Sequence, residues 1–198
     1  MMPRLALLTL LALGGSSLLA QDAKPALDPV ATAIWSEHAR GMGDRGEGRP
    51  GVNFDLVTGK AFEFFGKFPD ERRVGGILFN LSSFGGWLGD DARSAGLRPA
   101  WQAHLRGAVA DVLSQKTWPD NVWAGLQWVG AKNDIAIQVD ATGHADLGTL
   151  RQRIELIATR VPTSAYRTFL EQEYVRWLEQ LSPDAVGAHL AKLAASDS

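Results

Sequence analysis

The sequence predicts an all-α protein of antiparallel helical hairpins in a repeat-like array, with at most one short strand pair. Three observations carry that expectation. Apolar residues recur at helical spacing over most of the chain after residue 30. Prolines stand where one such stripe stops and the next begins. Only one run, residues 135–140, alternates apolar and polar as a half-buried strand would. The 198 residues are 45% apolar and 21% charged, a globular mixture with enough apolar side chains for a core.

In chain order, residues 1–20 read as a signal peptide. Arg4 precedes an apolar run over 5–13, broken only by Thr9, and small residues lead to a cleavage site at Ala20. Residues 5–20 are too short for a spanning helix, which needs roughly 20 residues. No cysteine follows to carry a lipid. The expectation is export to the periplasm or the extracellular space, with no stable membrane anchor after cleavage. Residues 21–29 read as a flexible leader, and 30–198 as a single helical domain.

Within that domain a helix is expected over 30–40, stopped by Gly41 and followed by a glycine-rich loop over 41–51. Phe54, Val57, Ala61, Phe64 and Phe68 form one helical stripe, which Gly59 does not break. After Pro69, Asp70 is placed to cap a second stripe of Val74, Ile77, Leu78, Leu81, Phe84 and Leu88. A helix over 97–116 carries Trp101, Leu105, Val109 and Val112 on one face, and Trp118-Pro119-Asp120 restarts the chain. Leu147, Leu150, Ile154, Ile157 and Val161 then repeat the first stripe 93 residues on. Pro162 stands where Pro69 stood, and Leu170, Tyr174, Trp177 and Leu181 match Ile77, Leu81, Phe84 and Leu88. The segments 54–88 and 147–181 therefore read as two copies of one hairpin. Pro183 opens a last short helix reaching about Ala195.

Two segments, EFFGKFPDERRVGGILFNLSSF (63–84) and ELIATRVPTSAYRTFLEQEYVRWL (155–178), resemble tetratricopeptide-type helical repeats, in which an apolar helix ends at a proline turn and the next restarts. The resemblance covers about half of the mature chain and implies an antiparallel helical array that binds partner proteins or peptides on a concave face. Its period of 93 departs from that family's roughly 34.

Several chemistries are excluded or disfavoured. With no cysteine the chain has no thiol nucleophile, disulfide, cysteine-ligated cluster or Cys-zinc site. Twenty Lys and Arg against 22 Asp and Glu, a formal charge of −2, give no basic field for nucleic acid. Gly41, Gly43 and Gly46 satisfy a dinucleotide-binding spacing, but a helix precedes them and Pro50 follows, so the strand and helix that motif requires are missing. His38, His104, His144 and His189 are dispersed. Asp140, His144 and Asp146 are the tightest oxygen–nitrogen group and form the alternative reading, a metal or acid–base cluster of an exported hydrolase or carbohydrate-active protein. Against it, Asp146 is placed to cap the helix that follows, with Asp140 and Thr142 in the turn. Seven tryptophans are many for this length, and Trp118, Trp123 and Trp128 are the candidate binding residues. Steps of five turn successive rings to different helix faces, which favours core positions over one flat platform. Residues 74–89 carry no charge, and their glycines are read as points of close helix approach.

The reading that follows is an exported, non-catalytic helical-repeat protein that engages a protein or peptide partner and needs no cofactor.

Overall fold

The computed structural model describes residues 28–43, 52–88 and 96–181. The expected signal peptide, nearly all of the leader and the helix after Pro183 lie outside the described residues. Among those described, seven helices account for 83% of positions and there is no strand. They are α1 (Pro29–Gly41), α2 (Phe54–Lys67), α3 (Arg73–Trp87), α4 (Leu97–Gln115), α5 (Asp120–Thr142), α6 (Leu147–Arg160) and α7 (Ala165–Leu181).

The helix starts have local chemical causes. The Asp28 carboxylate accepts from the Val30 and Ala31 N–H groups at 2.7 and 3.1 Å, with Pro29 in the first turn where its missing donor costs nothing. The Asn53 side chain caps α2 through Leu56 N–H at 2.9 Å. Asp70 does not cap α3. The cap position is Arg72, and Glu71 Oε2 accepts instead from the N–H and Nε of Arg73 at 3.1 and 2.7 Å.

The strand expected over 135–140 is the last part of α5. That helix packs against α3, α4, α6 and α7, so apolar residues are needed on several of its faces. Ile135, Ile137 and Val139 alternate for that reason and not because the backbone is extended. The helix stops at Gly143, whose φ of +78° is the left-handed conformation glycine adopts without strain, and whose N–H reaches Val139 O at 2.8 Å.

Cross-helix contacts show the helix directions. Arg98–Asp140 and Arg106–Asp134, at 2.7 and 2.9 Å, run α4 antiparallel to α5. Arg153–Asp134 and Arg160–Asp120, at 3.6 and 2.9 Å, do the same for α6. Trp128 beside Tyr166 and Lys132 beside Glu173 run α7 parallel to α5. The core gathers around α5. A Cβ added to Gly125 would stand 2.3 Å from Leu78 Cδ1, so α3 and α5 cross where only glycine fits.

The turn after α2 and the turn after α6 carry the same backbone bonds 93 residues apart. Phe68 N–H reaches Phe64 O at 2.8 Å, and Val161 N–H reaches Ile157 O at 2.7 Å. Glu71 N–H to Phe68 O at 3.2 Å matches Ser164 N–H to Val161 O at 3.0 Å. The surroundings differ: α2 leans chiefly on α1, whereas α6 leans chiefly on α7.

Between α1 and α2 lies His38, fully buried, with Nδ1 2.9 Å from Val57 O and Nε2 without a partner. The Nδ1–H tautomer donates to that carbonyl. Burial pushes the imidazole below its ordinary 6.5, and the carbonyl bond only partly offsets this. The unfolded chain therefore takes up a proton near pH 6.5 that the fold resists, and stability falls as pH drops from about 6.5 towards the lower folded value. In thermal melts at pH 7.5 and 5.0, the wild type is expected to lose more than His38→Asn, whose amide nitrogen takes the place of Nδ1. Equal losses would refute this role.

Candidate functional site

One cleft follows from how the helices share α5. Both α3 and α7 pack on α5 and run in its direction without an extended interface between them. This leaves a cavity of about 330 Å³, floored by α5 and closed at one end by α4. Ser82, Ser83, Gly85 and Gly86 supply the α3 wall, and Glu173, Arg176 and Trp177 the α7 wall. Lys132, Asn133, Ile135, Ala136 and Val139 form the floor, with Arg98 and Gln102 from α4.

Its charges are layered. Glu173, with a side chain 12% exposed, sits low in the wall and accepts from Lys132 at 3.2 Å, from Trp177 Nε1 at 3.1 Å and from Arg176. Lys132 and Arg176 stand further out, at 30% and 57% exposure. Arg98 bonds Asp140 at 2.7 Å, the other oxygen of which accepts from Gln102 at 2.8 Å. Asn133 donates to Gln102 O at 2.8 Å and fixes the floor to α4.

About one helical turn before the lining residues, the same sides of α3 and α7 carry two exposed rings, Phe79 (55% exposed) and Phe169 (46%). A Cβ on Gly75 would stand 4.0 Å from the Tyr166 hydroxyl, so α3 and α7 approach each other there. Phe79 lies between Gly75 and Ser82 on one side of α3, and Phe169 between Tyr166 and Glu173 on one side of α7. Phe169 also packs with Trp128 and Tyr166, at 6.0 and 6.1 Å between ring centroids.

The candidate tryptophans do not share a platform. Trp118 is 3% exposed, donates to Val112 O at 3.0 Å and lies under Lys116. Half-buried Trp123 lies under Arg160. Trp128 is 8% exposed and packs with Tyr166 and Phe169 of α7.

The alternative trio is not brought together. Asp140 is held by Arg98 and Gln102. Asp146 caps α6, accepting from Gly148 N–H at 2.9 Å and Thr149 Oγ1 at 2.7 Å, and those bonds hold its carboxyl below the usual range. His144 is exposed. Among the described residues, no three His, Asp or Glu are grouped to hold a metal ion.

One constellation was not legible in the sequence. His104 Nε2 is 3.0 Å from Thr58 Oγ1, and its Nδ1 is 3.9 Å from Asp55 Oδ1. Carboxylate, imidazole and hydroxyl in that order suit nucleophilic catalysis. Thr58, however, is 4% exposed and its hydroxyl donates to Phe54 O at 3.0 Å, so no substrate reaches the oxygen. The group staples α2 to α4.

The glycines of α3 divide into two kinds. A Cβ on Gly85 would stand 3.2 Å from Trp101 Cδ1, which is close approach as expected. One on Gly76 or Gly86 meets nothing within 4 Å. Residues 74–89 are uncharged, then, partly because their outer side borders a cleft. No helix among the described residues is long and apolar enough to cross a membrane.

No protein-family profile, curated protein or solved structure matches the chain.

Proposed function

We propose that this is an exported, non-catalytic protein built on a tetratricopeptide-like helical repeat, and that its α3–α7 cleft receives a protein or peptide partner. The reading is carried by a cavity of about 330 Å³ between α3 and α7, with two exposed rings, Phe79 and Phe169, on the same sides of those helices about one turn away. Concave sites with an apolar rim and a few convergent polar groups are the usual form of a binding site. Export is supported by the pattern of residues 1–20. The repeat is supported by the matching turn bonds and by the equal 14-residue lengths of α2 and α6, 93 positions apart.

Site-specific photo-crosslinking tests the site. A photoreactive residue is placed at Phe79, Phe169, Val30 or Leu156, the four exposed large apolar positions among the described residues. The protein is expressed in a secreting host, and intact mass is expected to show a chain beginning at Gln21. One adduct is expected from Phe79 and Phe169 and none from Val30 or Leu156. Equal labelling from all four positions, or none, would sink the assignment, and an uncleaved chain would sink export.

A further inference from the structure

We infer that the segment bound in the α3–α7 cleft is an acidic peptide, with apolar side chains between Phe79 and Phe169 and a carboxylate at Lys132 and Arg176. The inference rests on the partner-binding reading and adds the chemistry of the partner.

The cavity's cations lie beside an uncharged α3 wall and complement a carboxylate. The chain as a whole is negative, at −2, yet the cavity wall bears three cations, Arg98, Lys132 and Arg176, against one carboxylate, Glu173. Among the described residues Glu173 serves both Lys132 and Arg176, so that cluster carries one positive charge in excess. Depth sharpens the asymmetry. The carboxylate is the buried member of its cluster and the two cations are the outer ones. An incoming group therefore meets ammonium and guanidinium first, in a concave, partly enclosed site that concentrates their field. A partner carboxylate would gain charge-assisted bonds from both, whereas a basic partner would face them unpaired.

Among the described residues, the α3 side of the cleft carries no charge. Along α3 it presents Phe79, Ser82, Ser83 and Gly86, where small side chains let a second backbone come close. The spacing is fixed by α7: Phe169 and Arg176 are seven residues apart, about 10 Å along the helix axis. A helical ligand lying along the cleft would place its acidic residue about seven positions from its apolar anchor.

The test is selection of a random 16-residue phage-displayed peptide library on the purified mature protein, followed by affinity measurement with synthetic peptides. Enriched sequences are expected to carry Asp or Glu about seven positions from an aromatic or aliphatic residue. Replacing that acid by its amide is expected to weaken binding about tenfold, and Arg176→Gln by a similar factor. The peptide substitution leaves the protein untouched, so a folding defect cannot imitate the result. Binders that Phe79→Asp abolishes, but that lack an acid or tolerate its amide, would overturn the acidic partner while leaving the cleft as the site. The absence of any binder sensitive to Phe79→Asp would overturn both.

Discussion

Trp101→Ala is expected to cost about 3–5 kcal/mol, the range for deleting a large buried aromatic side chain. Trp101 is 1% exposed and sits where α2, α3 and α4 converge. Phe84 meets its ring edge-on at 4.9 Å and 85°, and Phe54 at 5.3 Å and 61°, both favourable geometries for the ring quadrupoles. His104 stacks beside it at 5.9 Å, and Gly85 lies against its edge. Truncation would leave a cavity bordered by residues held on three separate helices, which cannot all move in to fill it. For a domain of this size each kcal/mol moves the midpoint by about 2–4 °C, so thermal unfolding followed by circular dichroism should fall by roughly 6–20 °C. Trp101→Phe, which keeps an aromatic ring in place, should cost clearly less. A loss under about 1 kcal/mol for the alanine variant would mean that the three helices do not close on this ring.

Leu81→Ala is expected to cost about 2–5 kcal/mol. Leu81 is fully buried on the inner side of α3, on the stripe that holds Ile77 and Phe84. Substitution removes three carbons from a region where Gly125 already shows how little room exists, its missing Cβ falling 2.3 Å from Leu78. Leu81→Met, nearly the same volume, should stay within about 1.5 kcal/mol. Urea titration separates the two, with an unchanged slope and a lower midpoint for the alanine variant. Equal midpoints would place Leu81 outside the core.

Most of the fold was legible because six of the seven helices bury one face. Phe54, Val57, Ala61 and Phe64 recur every three or four residues since only one side of α2 turns inward, and the same holds for Leu147, Leu150, Ile154 and Ile157 on α6. In α5 the signal failed because the helix is enclosed. With neighbours on several sides its apolar residues no longer keep to one stripe, and Ile135, Ile137 and Val139 imitate a strand. The start of α3 lies two residues beyond the position an Asp70 cap implies: the N-cap is Arg72, no side chain caps it, and the Glu71 carboxylate binds Arg73 from within the turn. The cleft was less legible than the fold. Its charged groups, Arg98, Lys132, Glu173 and Arg176, come from three helices and share no local spacing. The uncharged run 74–89 was the usable trace, and it was read as helix approach, which Gly85 satisfies and Gly76 and Gly86 do not.

The position of α5 also determines what can come apart. Because α3, α4, α6 and α7 all lean on that one helix, the chain cannot be divided at α4 into two halves that each keep a closed interior. The 93-residue correspondence is thus a matter of local pattern, while cohesion belongs to the whole, and denaturation should pass through a single cooperative transition for these helices. Among the described helices, α1 and α2 pack on each other more extensively than on the remainder, so they would open together ahead of α5, and their amides would lose protection from solvent exchange while those of α5 remain closed.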